Sequence, residues 1–287
     1  MTKIYCFSGT GNSLWSAKKI AQIINETNSA ETCEIFNIGT EAQKNEIVIE
    51  ADAVIIVFPS YAFGLPLVVR RFVQKAVFKT QYIASFATCG STPLGTLGIL
   101  RHHLKKKKND KMFFGKIPAV ENYLALFKPP DTKTIEKRNR MQKETTEQAA
   151  RCIIERHENK PCVFRPLSAL VVSLFYLGLK IFYKFYRVGD NCNGCAVCSK
   201  ICPVSAIIMK NGRPCFTSKC ENCQGCVNIC PLRAIRFGRV KYGDPGYCHP
   251  EININELINN HQEMLESKTL QYYFFPDVQF SALDSNF

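Results

Sequence analysis

Nine of the fifteen cysteines lie close together, between Cys192 and Cys230, and all of them except Cys215 follow a regular spacing. Those eight are the candidate metal ligands. They form two runs with the same spacing, C-x2-C-x2-C-x3-C, and each run is followed by a proline, Pro203 or Pro231. The runs are Cys192, Cys195, Cys198 and Cys202, then Cys220, Cys223, Cys226 and Cys230. Thiolates are soft ligands that select iron–sulfur clusters or zinc rather than hard cations. Two runs that each end in Cys-Pro are typical of two cubane [4Fe–4S] clusters, and zinc, which binds paired CxxC motifs, is the alternative.

The same spacing predicts which cysteines share a cluster. In this pattern the first three cysteines of a run bind one cubane, and the fourth binds the other. One cubane is therefore expected to take Cys192, Cys195, Cys198 and Cys230, and the other Cys220, Cys223, Cys226 and Cys202. The exchange would tie together two halves whose own core is too small to fold unaided. We also expect Gly194 and Gly225 to make room for the cubanes, and residues 204–207 and 232–235 to form equivalent short helical turns.

Composition narrows the class of protein. The chain has 287 residues, 46% of them hydrophobic, which is enough for a sizeable core. It begins Met-Thr-Lys-Ile without the pattern of a signal peptide, and locally clustered cysteines indicate a reducing compartment, so we expect a cytoplasmic protein. The net charge is +13, although residues 241–287 are acidic. Anionic cofactors would offset part of this charge, and we expect no nucleic-acid partner.

Residues 1–120 alternate between strand-like and helix-like segments. Apolar runs rich in β-branched and aromatic residues cover 3–8, 53–60 and 82–90, and 32–38 and 111–120 are weaker strand candidates. Helical apolar spacing covers 13–26, 67–77 and 93–106. Continuous apolar strands that alternate with helices predict a parallel sheet covered on both faces. We therefore expect a doubly wound five-stranded α/β domain.

The rest of the chain divides into three parts. Residues 121–187 are expected to form a helical connector, with a charged helix over 132–159 and an apolar helix over 167–186 that also carries Lys180, Lys184 and Arg187. A membrane span needs about 20 apolar residues, and the first lysine interrupts this helix earlier. We expect a helix buried between domains or subunits, while an interfacial membrane helix and a true span are the alternatives. Residues 188–240 are expected to form a small α+β two-cluster domain, and 241–287 an acidic tail.

Three loops of the first domain are candidates for binding a phosphorylated cofactor. The first loop, residues 8–13, is rich in glycine and hydroxyl groups and leads into a helix, so backbone amides and the helix dipole would favour an anion. It contains no lysine and is not a Walker loop, which favours a monophosphate held by neutral donors. In a doubly wound sheet it would meet the second loop, residues 59–64, and the third loop, residues 88–91. The candidate residues are Ser8, Gly9, Thr10, Gly11, Asn12 and Ser13, Pro59, Ser60, Tyr61, Ala62, Phe63 and Gly64, and Thr88, Cys89, Gly90 and Ser91.

The motif Phe7-Ser8-Gly9-Thr10-Gly11-Asn12-Ser13 resembles the flavodoxin family. The order of the whole chain, including Tyr247-Cys248-His249-Pro250 after the cysteines, resembles flavodoxin–ferredoxin fusion proteins. The resemblance implies that the first loop binds the phosphate of FMN and that the other two enclose its isoalloxazine ring. Tyr61 or Phe63 could stack on that ring, and Gly64 and Gly90 would let the backbone approach its edge. An FMN beside two cubanes is the implied cofactor set.

These features indicate an iron–sulfur flavoprotein that transfers electrons between two clusters and FMN. Its partners would be redox proteins or a small-molecule electron acceptor, with self-association through residues 167–186 as a further expectation. The alternatives are a flavin-dependent reductase of a small organic substrate, fed by the clusters, and a redox sensor or assembly factor with structural clusters. No catalytic triad, carboxylate pair or nicotinamide fingerprint is recognisable, so no catalytic residue is assigned. Of the other cysteines, we expect Cys6, Cys33, Cys89, Cys152 and Cys162 to fill space, and Cys215 and Cys248 lie outside the ligand spacing.

Overall fold

The computed structural model describes residues 1–27, 32–105, 111–160 and 166–262. The strands of the described chain are β1 (Thr2–Cys6), β2 (Cys33–Asn37), β3 (Val48–Glu50), β4 (Ala53–Pro59), β5 (Val77–Lys79), β6 (Tyr82–Cys89), β7 (Met112–Pro118), β8 (Arg187–Val188), β9 (Ile207–Lys210), β10 (Arg213–Phe216) and β11 (Ile235–Arg236). Five of them form a parallel central sheet in the order β2-β1-β4-β6-β7. By position along the chain, the order of the sheet strands is 2-1-3-4-5, which is the flavodoxin-like doubly wound arrangement. The predicted fold class is confirmed.

Helices cover both faces of this sheet. The helices of the described chain are α1 (Asn12–Thr27), α2 (Ile38–Glu41), α3 (Leu67–Lys75), α4 (Thr96–Lys105), α5 (Thr132–Ile154), α6 (Pro166–Phe182), α7 (Val197–Lys200), α8 (Gly225–Ile229) and α9 (Ile254–Gln262), with a 3-10 turn at Tyr183–Phe185. One core packs Phe58 and Phe72 with α3 and α4, and the other packs Ile55 and Phe86 with α1 and α5. The central strands β4 and β6 are buried on both faces, and their residues are apolar except for Ser85 and Thr88 of β6.

The helix α5 packs against α1 and one face of the central sheet. Asp131 caps its start by accepting a hydrogen bond from the Thr134 amide at 2.7 Å. Gln142 is fully buried, and its amide donates to the backbone oxygen of Asn12 at 2.9 Å and to Ser16 Oγ at 3.0 Å. The helix thereby fixes the start of α1, which is where the first loop ends.

The cysteine module, residues 188–240, is built from two similar halves. Each half has a short helix, α7 or α8, entered through a left-handed residue, Ala196 or Gln224. The segments 204–207 and 232–235 are equivalent, as expected, but they are not helical turns. In both, a residue with φ of 49°, Ser205 or Arg233, turns the chain into a short strand, β9 or β11. A left-handed residue breaks a helix because the L side chain crowds the following carbonyl.

The described part of the chain contains no helix that is both long and apolar enough to cross a membrane. The helix α6 has 17 residues. Lys105 is the last residue of α4, and the three lysines that follow it lie outside the described residues. Cys162 and most of the acidic tail also lie outside them.

Candidate metal and cofactor site

The first group of cysteines surrounds one small cavity. Cys192, Cys195, Cys198 and Cys230 all line it, together with apolar side chains that include Met209. Burial, with smaller contributions from the charges of Cys195 and Cys230, raises the pKa of Cys198 to about 12. The fold therefore brings together three cysteines of the first run and the last cysteine of the second, which is the set expected for one cubane.

The second group gathers in the same way. Burial raises the pKa of Cys226 far above its usual range, and the charges of Cys223, Cys220 and Cys202 add to this effect in that order. Cys202, the last cysteine of the first run, therefore sits with the second run. Cys198 also acts on Cys226, so the two groups are neighbours. Burial alone would disfavour four thiolates here, and iron ligation would stabilise them.

Backbone amides point at three of these sulfurs. The Ala206 amide lies 3.2 Å from Cys202 Sγ, and the Ala234 amide lies 3.3 Å from Cys230 Sγ. These two contacts are equivalent in the two halves, because each joins the last cysteine of a run to the amide four residues later. The Asn222 amide lies 3.4 Å from Cys220 Sγ. Hydrogen bonds to ligating sulfurs are one of the means by which proteins set cluster potentials.

Among the described residues, no group of three or more His, Cys, Asp or Glu side chains is arranged to hold a single metal ion. A cubane places its four thiolates on four different iron atoms, so its ligands stand farther apart than those of one ion. Two sets of four soft donors, one around a small apolar cavity and both supplied with amide donors, fit cubanes.

The first loop lies between the end of β1 and the start of α1 and is buried. Within the described chain, no group accepts a hydrogen bond from the backbone amides of Gly9, Thr10, Asn12 or Ser13. Buried amides are rarely left unpaired, and a helix start adds a favourable field for an anion. These orphan donors, with no lysine or arginine in the loop, fit a phosphate monoester such as that of FMN.

Hydrogen bonds join the three loops at the carboxyl ends of the strands. Ser13 Oγ lies 2.8 Å from Thr88 Oγ1, so the first and third loops are in contact. The Ser60 amide donates to the Thr88 carbonyl at 2.9 Å, so the second loop meets the third. Thr10 Oγ1 accepts from the side-chain amide of Asn122. The convergence expected for a doubly wound sheet is present.

The residues expected to enclose a flavin ring lie against other parts of the chain. Tyr61 meets Phe7 edge to face at 6.3 Å between ring centroids, and Phe63 is 37% exposed. A β-carbon on Gly64 would lie 2.9 Å from Val172 of α6, and one on Gly90 would lie 2.7 Å from the Glu121 carboxylate. A ring edge at either glycine therefore requires these side chains to turn away. Cys89 is buried, and burial raises its pKa to about 11, so it is a neutral thiol that fills space.

The second cysteine group lies directly on the first loop. A β-carbon on Gly9 would be 3.1 Å from Cys223 Cβ and 3.3 Å from its sulfur, and one on Gly225 would be 2.5 Å from the Gly9 carbonyl oxygen. Gly225 therefore makes room for the first loop, whereas the sequence suggested that it makes room for a cubane. Cys202 and Cys220 pack against the hydrophobic core that contains Phe58 and Leu65.

Glu221 is a site residue that the sequence did not reveal. Its carboxylate accepts from the Leu67 amide at 2.8 Å and pairs with Arg71 at 3.0 Å, at the start of α3. The residue before α3 is Pro66, which offers no side-chain cap, so a carboxylate from the cysteine module takes that role. Burial raises the pKa of Glu221 to about 7 in spite of the nearby Arg71. The two partners are 150 residues apart, so no local pattern could predict the pair.

A segment after the cysteines, residues 247–249, ties the same elements together. Tyr247 donates its hydroxyl to Asn12 Oδ1 at 2.8 Å, and its amide donates to Asn228 Oδ1 at 3.0 Å. The His249 amide donates to the Thr10 carbonyl at 2.9 Å, and its ring stacks on Trp15. Burial lowers the pKa of His249 to about 4, so the ring is neutral. This segment holds α8 against the first loop.

No family model matches the sequence, and no curated protein matches it. Solved structures with weak likeness include an azoreductase from Bacillus anthracis str. Sterne (10% identity, TM-score 0.37, 54% of this chain and 100% of that one). Another is an NAD(P)H:quinone oxidoreductase from Methanothermobacter marburgensis (11% identity, TM-score 0.36, 56% of this chain and 98% of that one). A third is the Trp repressor binding protein from Bacillus subtilis (12% identity, TM-score 0.32, 55% of this chain and 100% of that one). Likeness at this level supports no conclusion about function, and the fold assignment rests on the strand order.

We expect the two cysteine groups to lose their clusters independently. Cys202→Ala and Cys223→Ala should leave the same reduced-state EPR spectrum, because both remove a ligand of the second group. Cys230→Ala and Cys195→Ala should both leave the spectrum of the second cluster, because both remove a ligand of the first group. Anaerobically prepared protein should contain about eight irons per chain, and each of these variants about four.

Cys215→Ala is the matched control and should retain both signals. Zinc in place of iron, or a spectrum that Cys202→Ala shares with Cys195→Ala instead, would contradict the assignment.

Removal of the Glu221 carboxylate should loosen the start of α3. In Glu221→Ala the Leu67 amide loses a charged acceptor worth about 1.5–3 kcal/mol, so its hydrogen exchange should quicken by about tenfold or more. Exchange measured by mass spectrometry on the 64–72 peptide checks this. The exposed Glu251→Ala is the control, and equal protection in both variants would contradict the capping role.

Proposed function

We propose that this chain is an electron-transfer flavoprotein that holds two [4Fe–4S] clusters and one FMN, and passes electrons between them. The observation that carries the proposal is the contact between the second cysteine group and the first loop. Gly9 and Cys223 touch, so a cluster on Cys223 and a phosphate on the amides of the first loop would be close neighbours. The first cysteine group lies next to the second, so a cluster there would extend this path.

The chain would contribute binding and electrostatics to this function. Bound clusters carry single electrons, and a bound flavin exchanges between one- and two-electron chemistry. The amides of Ala206 and Ala234 would donate to ligating sulfurs, and the buried amides of the first loop would hold the phosphate. Arg233 is held against the Asn228 carbonyl, close to Cys230. With Lys200, Lys219 and Arg236 it supplies positive charge near the module, which favours reduced clusters.

A carrier fits better than a reductase of an organic substrate. A reductase needs an open space over the flavin ring, and here Val172 and Glu121 lie against the two glycines that would face it. A carrier needs only an exposed edge through which electrons pass to a redox protein or a small acceptor. We further propose a cytoplasmic location, since iron-bound thiolates are best maintained in a reducing compartment.

The protein should retain one non-covalent FMN after reconstitution. Thr10→Val should weaken its binding by about 1–3 kcal/mol, because the variant lacks a hydroxyl in the phosphate loop. Flavin fluorescence quenching measures the affinity, and mass analysis identifies the extracted flavin. The control is Thr92→Val, an exposed threonine near the third loop. Bound FAD, or no flavin after reconstitution, would falsify the assignment.

Electrons should pass from clusters to flavin within one molecule. In stopped-flow experiments with dithionite-reduced clusters, the rate of flavin reduction should not depend on protein concentration, because the modules are already in contact. A rate that rises linearly with protein concentration would mean that electrons move between molecules, and would overturn the internal path.

A further inference from the structure

The helix α6 leaves an apolar stripe on the surface. Leu170, Leu174, Leu177 and Ile181 are 57%, 59%, 61% and 49% exposed. They recur at intervals of four, three and four residues, so they lie on one face of the helix. Phe185, in the turn that follows, is 53% exposed. Five large apolar side chains in a row form a contiguous patch of the kind that marks an interaction surface.

The opposite face of α6 is fixed to the protein. Val172 and Leu179 are buried, and the Tyr176 hydroxyl donates to the Leu65 carbonyl at 2.6 Å. Phe182 packs edge to face on Phe237 of the cysteine module at 6.0 Å between ring centroids. The helix is therefore held in place by one face, and the stripe is not needed for that attachment.

The charged residues on α6 and in the turn that follows it are all basic. Residues 166–187 contain no aspartate or glutamate, and Lys180, Lys184 and Arg187 are all exposed. Lys180 and Lys184 are four residues apart and follow one edge of the stripe. An amphipathic helix with apolar residues on one side and basic residues along its edge is suited to a surface that is apolar below and anionic above.

We propose that α6 lies flat on an anionic lipid surface, with the stripe in the headgroup region and the lysines on the lipid phosphates. The other face of α6 stays packed on the protein, so the contact is peripheral. The charges argue against a second copy packed in parallel on the same face. Parallel pairing of two stripes would bring the lysines of both copies together, and the helix has no carboxylate to pair with them. The proposal does not depend on whether flavin or clusters are bound.

Flotation of the full-length holoprotein with vesicles tests the proposal. The protein should bind vesicles that contain phosphatidylglycerol, bind pure phosphatidylcholine much more weakly, and be released by salt. Lys180→Gln with Lys184→Gln should weaken binding about thirtyfold, at about 1 kcal/mol for each lysine. The matched control is Lys133→Gln with Lys137→Gln, an exposed pair at the same spacing on α5, which should bind like the unchanged protein.

Leu174→Ser with Leu177→Ser should abolish binding while the circular dichroism spectrum stays the same, since both side chains are exposed. Equal binding to neutral and anionic vesicles would overturn the proposal, and so would equal weakening by the two lysine pairs. Failure to bind, together with a dimer in sedimentation velocity that the leucine changes dissociate, would assign the stripe to self-association instead.

Discussion

The molecule is organised around one close contact, where the first loop meets the second cysteine run. Gly9 lies against Cys223, and Gly225 lies against the carbonyl oxygen of Gly9. Neither position has room for a β-carbon at ordinary contact distance, so the two modules approach each other to within backbone contact. Glu221 reinforces this contact with a carboxylate that is 2% exposed and paired across the interface. Glu221 on one side, and the Leu67 amide and Arg71 on the other, therefore join the two modules at this contact.

The sequence predicted the parts of the fold that depend on periodicity and spacing. Continuous apolar runs at β4 and β6 identify strands covered on both faces, and the order of strands and helices then leaves few topologies. Cysteine spacing also predicts two ligand sets of four, with Cys202 and Cys230 exchanged between two clusters, and this ligand assignment stays a prediction. The structure brings together those two sets of four.

The features that the sequence did not predict depend on contacts between distant segments. The parallel pair of β3 and β5 has three residues in each strand, too few for a recognisable period. The helix α6 was expected to be buried, and its apolar content was correctly recognised. However, which faces of an apolar helix are buried depends on tertiary packing. Among the described side chains of α6, those on the face of Val172 and Leu179 are buried, and the apolar stripe on the opposite face is exposed. Likewise, Pro66 signals a helix start but does not say that Glu221 will cap it.

The position of Trp15 gives the molecule an internal optical reporter. It is the chain's one tryptophan, it stands in the first turns of α1, and its indole stacks on the neutral ring of His249 at 5.0 Å. It is 7% exposed, and His249 is bonded through its amide to Thr10 in the first loop. Indole emission responds to the polarity and quenching groups of its surroundings. Any event that shifts residues 247–249 from the first loop therefore changes the tryptophan emission of the unlabelled protein.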